Sequence, residues 1–165
     1  MKSVRVLAVA LALVGLAGFA GAQDKPTPER AFLDHFVGNW DAAIKMMGME
    51  SKGSETCRLE GGQWLITDFK GEFGGQKFIG HDVMGFDTTK KKFTGVWVDS
   101  MGPSLTQYEG TLDASGKVLT AIMEGSGQKM KNVTKIVDKD TTVFQMYNPD
   151  TAAEPMMTIT YKRKK

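Results

Sequence analysis

Phe36-Val37-Gly38-Asn39-Trp40 is the stretch on which the fold turns. A glycine stands two residues before a tryptophan, where a short helical lead-in gives way to strands. Upstream, Thr27-Pro28-Glu29 reads as an N-cap, a first-turn proline and a first-turn acid, starting a helix of about two turns. Leu33, Phe36 and Val37 fall on one side of that helix, and Gly38 stops it. Downstream, Trp40, Ala42, Ile44 and Met46 alternate with neighbours such as Asp41 and Lys45, the period of a half-buried strand. An indole at this junction is suited to plug the bottom of a small β-barrel, with the glycine letting backbone pass beside it.

Further strands are predicted over 54–60, 63–70, 77–86, 92–101, 104–112, 117–124, 129–138, 141–147 and 156–163. Between them lie tight-turn sequences such as Gly61-Gly62, Gly74-Gly75, Asp113-Ala114-Ser115-Gly116 and Asn148-Pro149-Asp150. Connections this short hold no crossover helix, which excludes a parallel sheet. A succession of hairpins without a long return favours a meander closed on itself over a sandwich. Glycines inside strands (Gly80, Gly85, Gly95 and Gly110) suit the bends that closure needs. The expected fold is all-β, an up-and-down antiparallel barrel of about ten strands behind one short helix.

Residues 1–22 read as an export signal. Lys2 and Arg5 supply the positive start, residues 6–19 are almost wholly apolar, and Ala20-Gly21-Ala22 offers a small-x-small cleavage site. The apolar run is shorter than the ~20 residues of a membrane span, so no transmembrane anchor is expected. Removing 22 of 165 residues leaves 143, the size of a single domain over 23–165. The leader takes Lys2 and Arg5 from the 21 basic residues, leaving 19 against 19 acids, a near-neutral chain. That balance gives no basic surplus for a nucleic-acid partner. The expected location is periplasmic or secreted. Cys57 is the only cysteine, so no internal disulfide forms, and it is expected to be buried.

The opening stretch resembles the Gly-x-Trp start of the lipocalin and calycin barrels. That resemblance implies that Trp40 packs under a basic residue of the last strand, the place of Arg163 in Tyr161-Lys162-Arg163. More closely, the chain from Leu33 to Arg163 resembles the bacterial family DUF1579. Three blocks carry the likeness: Gly80-His81-Asp82-Val83-Met84-Gly85-Phe86-Asp87, Val96-Trp97-Val98-Asp99-Ser100-Met101, and Ile159-Thr160-Tyr161-Lys162-Arg163. Phe86 departs from the tyrosine usual in the first block. The resemblance implies a lipocalin-like fold and export, and no particular activity.

Three acids interrupt apolar strand rows. Asp99 follows Phe93, Gly95 and Trp97; Asp82 lies among Phe78, Gly80, Met84 and Phe86; Asp68 follows Trp64 and Ile66. Inside a barrel such carboxyls would have raised pKa values unless Arg58, Tyr108 or His81 compensates. The plainer alternative has each acid bonding backbone at the barrel rim. Eleven methionines, with runs at Met46-Met47-Gly48-Met49 and Met156-Met157, suit a flexible lining better than a Cu(I) site, because neighbouring strand residues point apart.

The chain has no Gly-x-Ser-x-Gly elbow, His-Glu-x-x-His helix, paired-cysteine site or phosphate loop, and no cofactor or metal is expected. Apolar residues on both faces of several strands predict a cup for a small, mostly apolar or amphiphilic ligand. Its expected wall is Trp64, Phe78, Met84, Trp97, Met101, Tyr108, Met123 and Met146, with Arg58, Asp82 and Asp99 as polar anchors. The alternatives are an enzyme, an isomerase or hydrolase of a small lipid-like substrate using the cup acids, and a packed barrel acting through its outer surface.

Overall fold

A computed structural model describes residues 26–125, 127–148 and 154–165; the leader and the Pro149-Asp150 turn lie outside them. Helix α1 (Pro28–Phe36) precedes ten strands: β1 (Gly38–Met46), β2 (Met49–Glu60), β3 (Trp64–Phe73), β4 (Gln76–Asp87), β5 (Lys92–Asp99), β6 (Gly102–Leu112), β7 (Val118–Gly125), β8 (Gln128–Asp138), β9 (Thr141–Tyr147) and β10 (Met157–Arg163). Each strand pairs antiparallel with its chain neighbours. β10 also pairs with β1, from Trp40↔Arg163 to Met46↔Met157, and the sheet becomes a closed barrel. The expected up-and-down barrel is the fold observed.

Strand alternation sends one row of each strand inward. In β1 that row is Trp40, Ala42 and Ile44, all buried. In β3 it is Leu65, Thr67 and Phe69, also buried. One end is sealed by α1, whose Phe32, Leu33 and Phe36 are buried. Thr27 caps the helix by accepting from the Arg30 amide at 3.3 Å. The Phe32 ring meets Phe93 of the wall edge-on, with centroids 5.4 Å apart.

Trp40 completes the plug and is fully buried. Its Nε1 donates to the Phe36 carbonyl at 2.7 Å, fastening the indole to the helix end. Arg163 lies over the ring, its Cζ 4.0 Å from the centroid. The same guanidinium donates through Nη1 to the Val37 carbonyl at 2.8 Å and through Nη2 to the His35 carbonyl at 2.5 Å. A cation on an indole face at a partly desolvated site contributes about 0.5–2 kcal/mol. Gly38 sits at φ +127°, and a Cβ there would meet Arg163 Nη1 at 3.0 Å, so glycine is required both for conformation and for space.

Three local readings need correction. Val37 follows the helix as its C-cap and is 39% exposed; Phe32 takes its place on the packed face. β2 begins at Met49, well before residue 54, because Met47-Gly48, with φ of 49° and 80°, closes a two-residue hairpin turn and leaves no loop. β5 stops at Asp99, where the register with β6 shifts and the Asp99 carboxylate accepts the Met101 amide at 2.8 Å.

Candidate functional site

Above the plug the barrel encloses a cavity of about 540 Å³. Phe32 and Phe36 of α1 form its floor, and every strand adds to its wall or mouth. The mouth is at the end away from α1, among Met46, Phe73, Met101, Gln128 and Met157. Met47 and Met101, on two of the hairpin tips there, are 76% and 68% exposed. Methionine therefore gathers at the open end, where unbranched thioether chains pack without fixing one shape.

Nine of the expected site residues share this lining: Phe78, Asp82, Met84, Trp97, Asp99, Met101, Tyr108, Met123 and Met146. Trp64 and Arg58 do not. Each occupies the outward parity of its strand. Trp64 lies on the outer face against Gly85, its cross-strand partner, and is 46% exposed. Arg58 stands between the inward residues Cys57 and Leu59. On the outer surface it pairs with Asp68 at 2.7 Å and Glu60 at 3.1 Å. His81 Nδ1 completes that outer cluster, 2.7 Å from Asp68. Asp68 is thus a surface acid, held below the usual carboxylate range first by its His81 hydrogen bond and also by Arg58.

Two hydrogen-bonded groups, one around Asp82 and one around Glu55, carry most of the cavity's polar chemistry. Tyr108 OH donates to both oxygens of Asp82, at 2.9 and 2.8 Å. Burial pushes Asp82 up to about 7, and the nearby Glu55 charge adds to that rise against the pull of Tyr108. Burial likewise raises Glu55 to about 7, opposed by hydrogen bonds from Cys57 and Tyr161. The Cys57 thiol donates to Glu55 Oε1 at 3.3 Å and lies 3.4 Å from Thr67 Oγ1. Burial, then the Glu55 charge, drives that thiol's pKa upward, so Cys57 is a buried, unreactive neighbour. Both tyrosine hydroxyls are likewise raised, by burial first, and stay protonated donors.

Asp99 behaves differently. It accepts from Trp97 Nε1 and from the Met101 amide, both at 2.8 Å, so it fastens the rim as well as facing the cavity. Asn132 is 5% exposed; its Nδ2 contacts Met123 Sδ, and its Oδ1 has no hydrogen-bond partner among the described residues. Among the described residues no Lys, Arg or His lines the cavity. His35 bonds Thr142 Oγ1 at 2.9 Å beside the plug, and burial is the main cause of its lowered pKa. Among the described residues no group of three or more His, Cys, Asp or Glu could hold a metal ion.

Glu55, Tyr161 and Asn132 are missed in the sequence, as are the neutral lining residues Thr67, Thr106, Gln128 and Thr134. Parity marks two of them: Glu55 is two before the buried Cys57, and Tyr161 is two before Arg163. Strand glycines open room for the lining. A Cβ on Gly80 would fall inside the Trp97 ring, and one on Gly95 inside the Tyr108 ring.

A model of the family described as protein of unknown function (DUF1579) matches residues 25–163. The chain belongs to the DUF1579 family. Among solved structures, this DUF1579 chain is similar to Rv2717c from M. tuberculosis, at 14% identity and a TM-score of 0.60, covering 86% of this chain and 100% of that one. It is also similar to the S-type phycobiliprotein lyase CPES from Guillardia theta, at 11% identity and a TM-score of 0.55, covering 82% and 92%. At these identities the likeness is one of fold, a lipocalin-like barrel. No curated protein matches the DUF1579 chain by sequence. No helix among its described residues is long and apolar enough to cross a membrane.

Proposed function

We propose that this protein holds a small, mostly apolar molecule in the barrel cavity, as an exported carrier or sensor. The cavity itself carries the reading. A protein whose interior existed only for stability would fill it with side chains, because each unfilled void forfeits packing. Here about 540 Å³ stays open, within the ~300–1,000 Å³ range of small-molecule sites. Its lining is chiefly aromatic, aliphatic and thioether, with a few converging polar groups, the composition such sites use. The fold likeness to a phycobiliprotein lyase is compatible with this reading and does not choose the ligand. Export is supported by the charged, apolar and small-residue order of positions 1–22.

Mass spectrometry of the protein under non-denaturing conditions, followed by solvent extraction, tests the cavity reading. A co-purifying small molecule is expected, and Met146→Trp, which fills the mouth side of the cavity, should reduce its occupancy severalfold without unfolding the barrel. A reproducibly empty protein that also binds no hydrophobic probe would overturn it. The mass of the cell-processed chain tests export: loss of residues 1–22 is expected.

Glu55 and Asp82 favour a second reading. Two carboxyls near pKa 7 can give and take protons at neutral pH, as an isomerase or hydrolase of a small lipid-like substrate requires. Turnover abolished in Asp82→Asn with binding retained would support it; no turnover of any extracted molecule would remove it.

A further inference from the structure

The cavity's polar side chains are unbalanced in one direction. Glu55, Asp82 and Asp99 face it, and among the described residues no basic side chain does. The hydroxyl of Tyr108 is already committed to Asp82, and that of Tyr161 to Glu55. The Asn132 carbonyl oxygen, buried in the same wall, accepts from nothing described. Among its charged side chains the cup therefore offers acceptors only, beside the neutral Thr67, Thr106, Gln128 and Thr134. An ionised carboxylate has about four lone-pair sites, so the tyrosine bonds leave capacity on both acids. A buried acid without a cation is costly, and one partner able to relieve both acids is a positive charge arriving with the ligand. Phe78 and Trp97, stacked with centroids 6.3 Å apart and planes within 17°, add aromatic surface to the same cavity, and a cation is attracted to such faces.

We propose that the occupant is a hydrophobic amine: an apolar body on the aromatic and methionine wall, with a cationic nitrogen against Glu55 and Asp82. The inference rests on the cavity being a ligand site. It excludes fatty acids and other hydrophobic anions as preferred ligands, since their charge would join three acids with no counter-cation. It also sets a proton balance. The groups facing the two acids are Cys57 on β2, Tyr108 on β6, Tyr161 on β10 and the acids themselves on β2 and β4; none is basic. With both carboxyls near pKa 7 in the empty protein, a bound cation favours their ionised forms and binding near pH 6.5 releases protons.

The test is titration calorimetry of the full-length processed protein with decylammonium, decanol and decanoate at sub-micellar concentration. Decylammonium should bind at least tenfold more tightly than decanol, with decanoate weakest. Its affinity should rise about tenfold from pH 5 to pH 8 while that of decanol stays flat, and repeating at pH 6.5 in buffers of different ionisation enthalpy should show proton release. The Glu55→Gln/Asp82→Asn double variant should lose the preference for the amine and still bind decanol. Should that variant fail to fold, the wild-type pH series carries the decision alone. Equal binding of amine and alcohol by the wild type, or a pH-independent preference, overturns the amine inference and leaves the cavity reading standing. Binding of none of the three, together with an empty protein after extraction, removes both.

Discussion

Glu55 and Asp82 are the residues at which the barrel's chemistry and its stability conflict. Each holds its proton more tightly in the folded protein than in an unfolded chain, at about 7 against ordinary values of 4.5 and 3.8. For acids shifted upward, the folded state binds more protons, so stability is fullest below the ordinary carboxyl range and is lost as pH rises through about 4 to 7. The loss is on the order of 3 kcal/mol per group. Glu55→Gln and Asp82→Asn should therefore flatten the fall in melting temperature between pH 4 and pH 8, each variant gaining on the wild type above pH 7. Thermal melts across that range decide it, and a difference curve without slope would refute the burial assigned here. Asp82 could be found from its apolar row, Phe78 to Phe86. Glu55 has no such row before it, because the first half of its strand, Glu50-Ser51-Lys52-Gly53-Ser54, is polar on both faces, and only its parity with Cys57 marks it. Arg58 and Trp64 show the converse limit: an anchor and a wall residue suggested by type were placed outside by parity alone.

At the scale of the strand, glycine does two separate jobs, and substitution should separate them. Gly80 has ordinary strand backbone, but its missing Cβ is the space that the Trp97 ring fills. Gly48 has nothing within 4 Å of a would-be Cβ, and its φ of +80° is what the hairpin turn needs. Gly80→Ala should cost about 1–3 kcal/mol by overpacking and shift Trp97 fluorescence as the ring is displaced. Gly48→Ala should cost about 1 kcal/mol through backbone strain and leave that fluorescence unchanged. Denaturant melts with tryptophan emission read both; the opposite pattern would mean the roles are reversed. Strand positions were legible because alternation and turn residues mark them redundantly. Strand ends were less so. Met47-Gly48 carries φ > 0 at a methionine, which turn propensity does not flag, and Asp99 ends β5 by accepting an amide two residues ahead. Bends for closure explain only part of the strand glycines; their neighbours show that ring packing also places them.

For the whole molecule, the decisive contact is the seam between β1 and β10. Arg163 reaches the Val37 carbonyl across 126 residues of chain, and the Lys164 amide donates to the Asn39 carbonyl at 2.8 Å. Closure was legible from residue 36 to 40 and from the basic residue near the C-terminal end. The hollow interior was not, since strand periodicity says which side chains point inward and nothing about whether they meet in the middle. Deleting 157–165 removes every β10 pairing and the lid of Trp40 together. The shortened chain is expected to show no cooperative melt and no near-ultraviolet circular dichroism, rather than a nine-stranded barrel with a gap; a native-like melt would contradict this. The seam also has a consequence in time. A ribosome adding ~5–20 residues per second finishes the first ribbon several seconds before its final partner exists. Throughout that interval the nascent polypeptide has a raw edge and no finished interior. If the chain is exported as proposed, the unclosed polypeptide would be loose enough to thread a narrow translocation channel until β10 is made.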